Sequence, residues 1–399
     1  MPPSSRSARS ARSARSARAR KTGALAERRG RRPSQGERDD AEKAKLVALV
    51  RDLLTWYAAH RRDLPWRRTR DPYAVWISET MLQQTRVETV IPYYERFLRE
   101  LPTLGHLAEA PGEQVLALWS GLGYYRRARM LHAAAKQAAA EHGGLPSEVH
   151  ALRRLAGIGA YTAGAVASIA FGRAAALVDG NVARVLARLF AVEEDVKSTR
   201  GAAALWALAE TLVACVPGEG DPGDWNQALM ELGATVCVPR EPRCDRCPVR
   251  GECEGLRRGV AASLPRVSPK REPVPVRKTA IVLASDDRVL LARRRGDRLF
   301  GGMWEPPMGD DAESLAALLA IDPGALAPAG EVVHVLSHRR MQIEVARADL
   351  ARWGRRKTWA LPGPDYDAIE TVRLEELAKR PHASLARKVL AVAAAAAAL

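Results

Sequence analysis

A chain of 399 residues, 47% hydrophobic and 27% charged, is long enough to bury two or three cores, which excludes a wholly disordered or fibrous protein. Its formal charge of +16 favours a polyanionic partner, most simply nucleic acid, over a basic or neutral one. No apolar run approaches the roughly 20 residues a membrane span requires, so no membrane association is expected.

Residues 1–40 hold twelve Arg/Lys and four Asp/Glu, half of the net charge in a tenth of the chain. A near-repeat of Ser-Ala-Arg runs from Ser7 to Arg18, and large apolar residues are almost missing. Such a segment cannot bury enough surface to fold, and a disordered basic tail is predicted. From residue 41 to about 255 the pattern is helical. Leu46, Val47, Val50, Leu53, Leu54 and Tyr57 recur at helix spacing, as do apolar residues across 76–97, 113–119, 126–141 and 201–216. Gly and Pro punctuate at 121–123, 143–146 and 217–223. Within this region, residues 152–164 predict helix, tight turn, helix. Gly157 and Gly159 let the backbone turn sharply, and the free amides opening the second helix suit a phosphate. A plain helical hairpin is the alternative.

Cys237, Cys244, Cys247 and Cys253 follow in the spacing C-x6-C-x2-C-x5-C, with Cys215 the one other cysteine. Four thiols in seventeen residues can wrap one metal centre, and a [4Fe–4S] cluster is the first choice; a zinc knuckle and two disulfides are the alternatives. Without a secretory signal in view, a reducing cytoplasmic compartment is expected, which disfavours disulfides. Residues 256–276, with Pro265, Pro269, Pro273 and Pro275, predict a linker. Beyond it, Val/Ile/Leu-rich runs in 278–291 and 331–344 predict strands in a smaller α+β domain spanning 277–390. An Ala-rich tail, 391–399, closes the chain.

Two carboxylates stand out. Glu79 sits in a predicted helix with apolar Val75, Trp76 and Leu82 at i−4, i−3 and i+3. Burial there raises its pKa and holds its proton near neutrality. Asp179 precedes a predicted helix at 182–190, where orphan amides and the dipole favour an ionised carboxylate. One group inclined to hold a proton and one inclined to stay charged is how glycoside-cleaving enzymes divide acid and stabiliser roles.

These residues together resemble the helix-hairpin-helix DNA glycosylases that carry an iron–sulfur cluster, and within them the MutY-type adenine DNA glycosylases. Arg62-Asp-Leu-Pro-Trp66, Ser78-Glu-Thr-Met-Leu-Gln-Gln-Thr85, Gly121-Leu-Gly-Tyr-Tyr125 and Leu177-Val-Asp-Gly-Asn-Val182 carry the likeness, together with the hairpin and the cysteine spacing. It implies a mainly α fold of two helical subdomains plus a [4Fe–4S] loop, followed by a Nudix-like domain. It further implies excision of adenine opposite 8-oxoguanine or guanine in duplex DNA, by a monomer in the bacterial nucleoid. Glu79 would be the general acid on adenine N7 and then the base for water, and Asp179 would stabilise the oxocarbenium-like sugar. Asn181 and Tyr161 would support them. The resemblance puts Arg62, Leu64, Trp66, Val87 and Glu231 in the adenine pocket. Gln84 and Tyr124 would enter the base stack, with Thr85 and Leu122 near the 8-oxoguanine. Gly157 and Gly159 would meet the DNA backbone, and Ser337 and His338 would contact 8-oxoguanine. Basic Arg240, Arg243, Arg246 and Arg250 in the cysteine loop suit phosphate contact.

Bifunctional relatives of the endonuclease III kind carry a lysine where this chain has Tyr161. A phenol cannot form an imine, so a monofunctional enzyme is implied. In the C-terminal part, Phe300-Gly-Gly-Met-Trp-Glu-Pro-Pro307 and His334-Val-Leu-Ser-His338 match Nudix landmarks, but the acidic magnesium-binding run does not follow Gly301. Recognition without hydrolysis is implied. Leu336 stands where an aromatic is usual. An endonuclease III-like lyase, a non-catalytic iron–sulfur DNA-binding protein and a nucleotide hydrolase in the C-terminal half are the rivals.

Overall fold

The computed structural model describes residues 34–269, 272–353, 359–360 and 363–397, so the predicted basic tail lies outside the described residues up to position 33. Among the described residues eleven helices lead into the cysteine loop: α1 (Gln35–His60), α2 (Pro72–Leu82), α3 (Val87–Glu100), α4 (Leu104–Glu109), α5 (Gly112–Trp119), α6 (Arg126–His142), α7 (Val149–Leu152), α8 (Ala160–Ile169), α9 (Gly180–Leu189), α10 (Thr199–Val213) and α11 (Pro222–Thr235). A short α12 (Glu254–Arg257) follows it. Residues 35–40, expected in the tail, instead open α1. There Ser34 accepts from Glu37 N (3.3 Å) and Glu37 Oε2 accepts from Ser34 N (2.6 Å), a reciprocal capping box.

Helix α2 is the spine. Asp71 caps it by accepting from Tyr73 N and Ala74 N, and Pro72 sits where the missing N–H costs nothing. Residues 73–81 are all buried, as expected of a helix without a polar face. The helical half has two cores, and α2 runs along their seam. Trp76, Ile77 and Met81 join one with α3, α5 and α6; Val75 joins the other with α1, α9, α10 and α11. The 76–97 run is not one helix. It breaks at 83–86, where Gln84 takes a left-handed backbone (φ 60°).

The C-terminal half is a mixed sheet between two helices. Its elements are β1 (Val274–Ala284), β2 (Arg288–Arg294), β3 (Trp304–Glu305), β4 (Met308–Gly309), α13 (Ala312–Leu319), β5 (Ala327–Val335), β6 (Arg339–Asp349), β7 (Tyr366–Arg373) and α14 (Ser384–Ala395). The strand order is β3-β2-β1-β6-β5, with β4 on β1 and β7 on β2. β1 and β6 are parallel and the other pairs antiparallel. One face packs Val282, Ile343 and Val345 on Leu385 and Val389 of α14; the other packs Ile281 and Leu283 on Leu315 and Leu319 of α13. Ala393 of α14 is buried, so the Ala-rich end packs as far as Ala393 in a helix that runs to Ala395.

The expected linker is largely anchored. Leu264 O accepts from Arg188 Nε (2.8 Å), Arg266 O accepts from Val196 N (3.1 Å), and 274–276 already pair with 339–341. The two halves share a core as well, because Met303 and Ala383 are buried among the helical residues. Glu113 accepts from Trp304 Nε1 (2.7 Å) and pairs with Arg380 (3.3 Å), and Arg129 donates to Gly301 O (2.6 Å).

Candidate active site

Three elements meet around two carboxyls. Glu79 lies near the end of α2, 4% exposed. Tyr161, second residue of α8, donates its hydroxyl to Glu79 Oε2 and also lies 3.7 Å from Met230 Sδ. Asp179 is the N-cap of α9, accepting from Val182 N (2.7 Å) at Oδ1 and from Asn181 Nδ2 (3.1 Å) at Oδ2. Burial pushes Glu79 up to about 7; the Tyr161 bond opposes the rise and the Asp179 charge adds to it. Burial and the two carboxyls hold the Tyr161 hydroxyl well above the ordinary phenol range.

Asp179 differs from expectation in one respect. Burial raises it too, against the hydrogen bonds from Val182 and Asn181 and the Arg184 charge. The two carboxyls therefore differ mainly in hydrogen bonding, Glu79 being buried and Asp179 half-buried. Helix α11 closes over this end of α9: a Cβ on Gly233 would fall 2.7 Å from Asn181 Cβ, so only glycine permits the approach. Arg184 donates to Asn181 Oδ1, Gly233 O and Cys237 O, each at 2.8 Å, joining the Asp179 cap to the start of the cysteine loop.

Beside Glu79 stands a buried ion cluster. Glu231 of α11 is fully buried and accepts from Arg62 Nε (2.7 Å), Arg62 Nη2 (2.8 Å), Arg62 N (3.1 Å) and Arg67 Nη2 (2.8 Å). Burial works to raise its carboxyl, but the two guanidinium groups outweigh it and hold the pKa at about 2. The Arg67 charge also reaches Glu79. Trp66 and Leu64 are buried, Trp66 edge-on to Tyr94 (5.5 Å), and half-buried Val87 packs on the same core.

A cleft of about 440 Å³ opens between the α2–α3 turn and the hairpin, lined by Gln84, Tyr124, Arg126, Arg127, Met130 and Gly157 among others. Gln84 and Tyr124 both have left-handed backbones (φ 60° and 49°), a strain typical of ligand-contacting positions. Leu122 is buried and Thr85 half-buried. Gly157 (φ 74°) makes the hairpin turn over Met130, and Gly159 is the N-cap of α8 without a side-chain cap, leaving the first amides free. On the C-terminal side Ser337 and His338 form the two-residue tip of the β5–β6 hairpin, closed by Leu336 N donating to Arg339 O (2.8 Å). That tip reaches the cleft: the hydroxyls of Ser337 and Tyr124 are 3.0 Å apart. His338 faces a separate cavity with Phe300, Arg298 and Arg339, and Leu336 packs on the sheet core.

Cys237, Cys244, Cys247 and Cys253 are all free thiols lining one cavity, together with Arg188 and Leu256. No set of three or more His, Cys, Asp or Glu among the described residues is gathered around a single ion position. The donor set and the shared cavity nonetheless fit a multi-iron cluster. Arg188 is buried and fixes the loop, donating to Val238 O (2.7 Å), Pro239 O (3.0 Å) and Cys237 Sγ (3.4 Å). Arg240, Arg243, Arg246 and Arg250 are exposed.

Arg67, Arg127, Arg184 and Arg188 escaped sequence reasoning. Each acts on carbonyls or a carboxylate far away in the chain, and no local spacing signals that.

Residues 77–210 match the model of the HhH-GPD superfamily of base excision DNA repair proteins, and residues 278–392 match the NUDIX domain. A solved thermostable thymine-DNA glycosylase is 34% identical and covers 55% of this chain and 99% of its own, with a TM-score of 0.49. The two family models together define a base-excision DNA repair protein with a Nudix-like domain. The adenine DNA glycosylase of Homo sapiens is 38% identical over 370 residues, covering 76% of this chain and 67% of its own; that of Arabidopsis thaliana is 36% identical over 356 residues, covering 73% and 56%. The chain belongs to the adenine DNA glycosylase family. Among the described residues, no helix is long and apolar enough to cross a membrane.

Proposed function

We propose that this enzyme hydrolyses the N-glycosidic bond of adenine mispaired with 8-oxoguanine, or with guanine, in duplex DNA. It acts as a monofunctional glycosylase and as a monomer. The observation that carries the proposal is the Glu79–Tyr161–Asp179 cluster, in which a phenol stands where imine chemistry would need an amine.

The adenine is extruded from the stack before reaction. Glu79, poised near neutrality, donates its proton to N7, and the C1′–N9 bond breaks with its electron pair leaving on the base. Asp179, oriented by Val182 N and Asn181, stabilises the positive sugar. Glu79, now a carboxylate, removes a proton from the water that adds to C1′, giving free adenine and an abasic site. Tyr161 keeps Glu79 in place. Arg62, Leu64, Trp66, Val87 and Glu231 form the adenine pocket, while Gln84, Thr85, Leu122 and Tyr124 hold the opposite strand. Gly157 and Gly159 bind the backbone.

Residues 277–390 recognise 8-oxoguanine through Ser337 and His338 without hydrolysing nucleotides. Cys237, Cys244, Cys247 and Cys253 hold a [4Fe–4S] cluster. When bound, it cross-links the loop that carries the four exposed arginines.

The test uses duplexes with adenine opposite 8-oxoguanine, guanine or thymine. Alkali-dependent strand breaks at adenine opposite 8-oxoguanine and guanine, but not opposite thymine, are expected. Breaks without alkali, or none at all, would overturn the proposal.

A further inference from the structure

We propose that Arg127 is a positioning residue that ties the Ser337 hairpin tip to the placement of Glu79. The proposal rests on the function given above. Arg127 lies in the first turn of α6, its guanidinium between the Trp119 ring (5.3 Å) and the Tyr124 ring (5.5 Å). Nη1 faces three carbonyls, those of Thr80 (2.8 Å), Met81 (2.8 Å) and Gln83 (2.6 Å). Nη2 donates to Thr85 Oγ1 (3.1 Å) and Gly123 O (3.3 Å).

The last carbonyls of a helix have no partner within it. At the end of α2 this one side chain donates to the carbonyls of Thr80, Met81 and the following Gln83, beginning at the residue after Glu79, while Leu82 O accepts from Thr85 N (3.3 Å). On its other face it stacks on Tyr124, whose hydroxyl meets Ser337 Oγ at 3.0 Å. The guanidinium bonds to both sequence neighbours of one left-handed residue, Gln84, and lies over the ring of the other, Tyr124. Strained backbone persists only where its surroundings over-determine it, and Arg127 is the group common to both loops. Among the described residues its Nε–H has no acceptor, so the hold runs through the two terminal nitrogens. Lysine cannot imitate this, because a single ammonium cannot stack flat and donate to both loops at once.

A residue that merely capped α2 would slow excision equally whatever lay opposite the adenine. A coupling residue slows it most where Ser337 has a lesion to read. The experiment measures single-turnover adenine release opposite 8-oxoguanine and opposite guanine, with duplex affinity and thermal melting for each protein. The proteins are wild type, Arg127→Lys, Arg127→Met, Ser337→Ala and the two double variants. Arg127→Lys is expected to lower the rate opposite 8-oxoguanine about tenfold more than opposite guanine, the size of ordinary intersite coupling. Ser337→Ala is expected to cost less in the Arg127→Lys background than alone. Equal losses on both duplexes, independent effects that multiply, or a loss confined to duplex affinity would overturn the proposal. Should Arg127→Met fail to melt cooperatively, the lysine variant carries the comparison. A wild-type enzyme that released no adenine from either duplex would instead overturn the function itself.

Discussion

Replacing Glu79 with Gln preserves shape and the Tyr161 contact, since an amide oxygen still accepts the hydroxyl, but removes the transferable proton. Loss of a general acid costs roughly 10²–10⁴-fold in rate. With the pKa raised to about 7, Glu79 titrates around neutrality, and excision should fall as pH rises above that point. The same burial makes the ionised carboxyl a burden on the fold. The folded pKa lies above the ordinary value of 4.5, so the protonated form's stabilising advantage is full below 4.5 and is lost as pH rises through about 7. At 1.36 kcal/mol per unit, the ionised carboxylate costs on the order of 3 kcal/mol relative to the neutral form. Glu79→Gln should therefore melt like wild type near pH 4.5 and clearly higher at pH 8, while excising adenine at least about a hundredfold more slowly. Single-turnover kinetics and melts at both pH values test this. Excision within a few-fold of wild type would refute the proton-donor role; equal melting at pH 8 would refute the burial argument.

Borohydride reduction during turnover should trap no protein–DNA adduct at position 161, and mapping of any cross-link by mass spectrometry checks this. Glu231→Ala should destabilise the fold by about 3–5 kcal/mol, seen in chemical denaturation, because it strands the Arg67 guanidinium in a buried site. Purified protein should absorb broadly near ~400 nm, and Cys247→Ser should lose that band together with the shape of the loop; stoichiometric zinc without iron, measured by metal analysis, would contradict the assignment.

What the sequence disclosed depended on the range of the interaction. Glu79's burial was readable from Val75 and Trp76 one turn away, and Asp179's cap from the residues just after it. The partnership of Glu79 with Tyr161 spans 82 positions and has no local trace. The break in the 76–97 run was hidden for the same reason: no Gly or Pro stands there, and the helix end is held by Arg127 from another element. The proline-rich stretch suggested a free linker, yet Pro275 belongs to β1. At this end β1 pairs with β6 alone, so the missing N–H can face the unpaired side. The rise of Asp179 was not foreseen because capping geometry is local and burial is not.

Met303 and Ala383 lie inside the helical core, and Trp304 and Arg380 close on Glu113. Deleting everything after the cysteine loop would therefore not yield a trimmed catalytic module. It would unroof Leu116 and its neighbours, and a shortened protein would be apt to clump before it could report anything about lesion preference. Point changes at the hairpin tip are the cleaner way to separate recognition from bond cleavage.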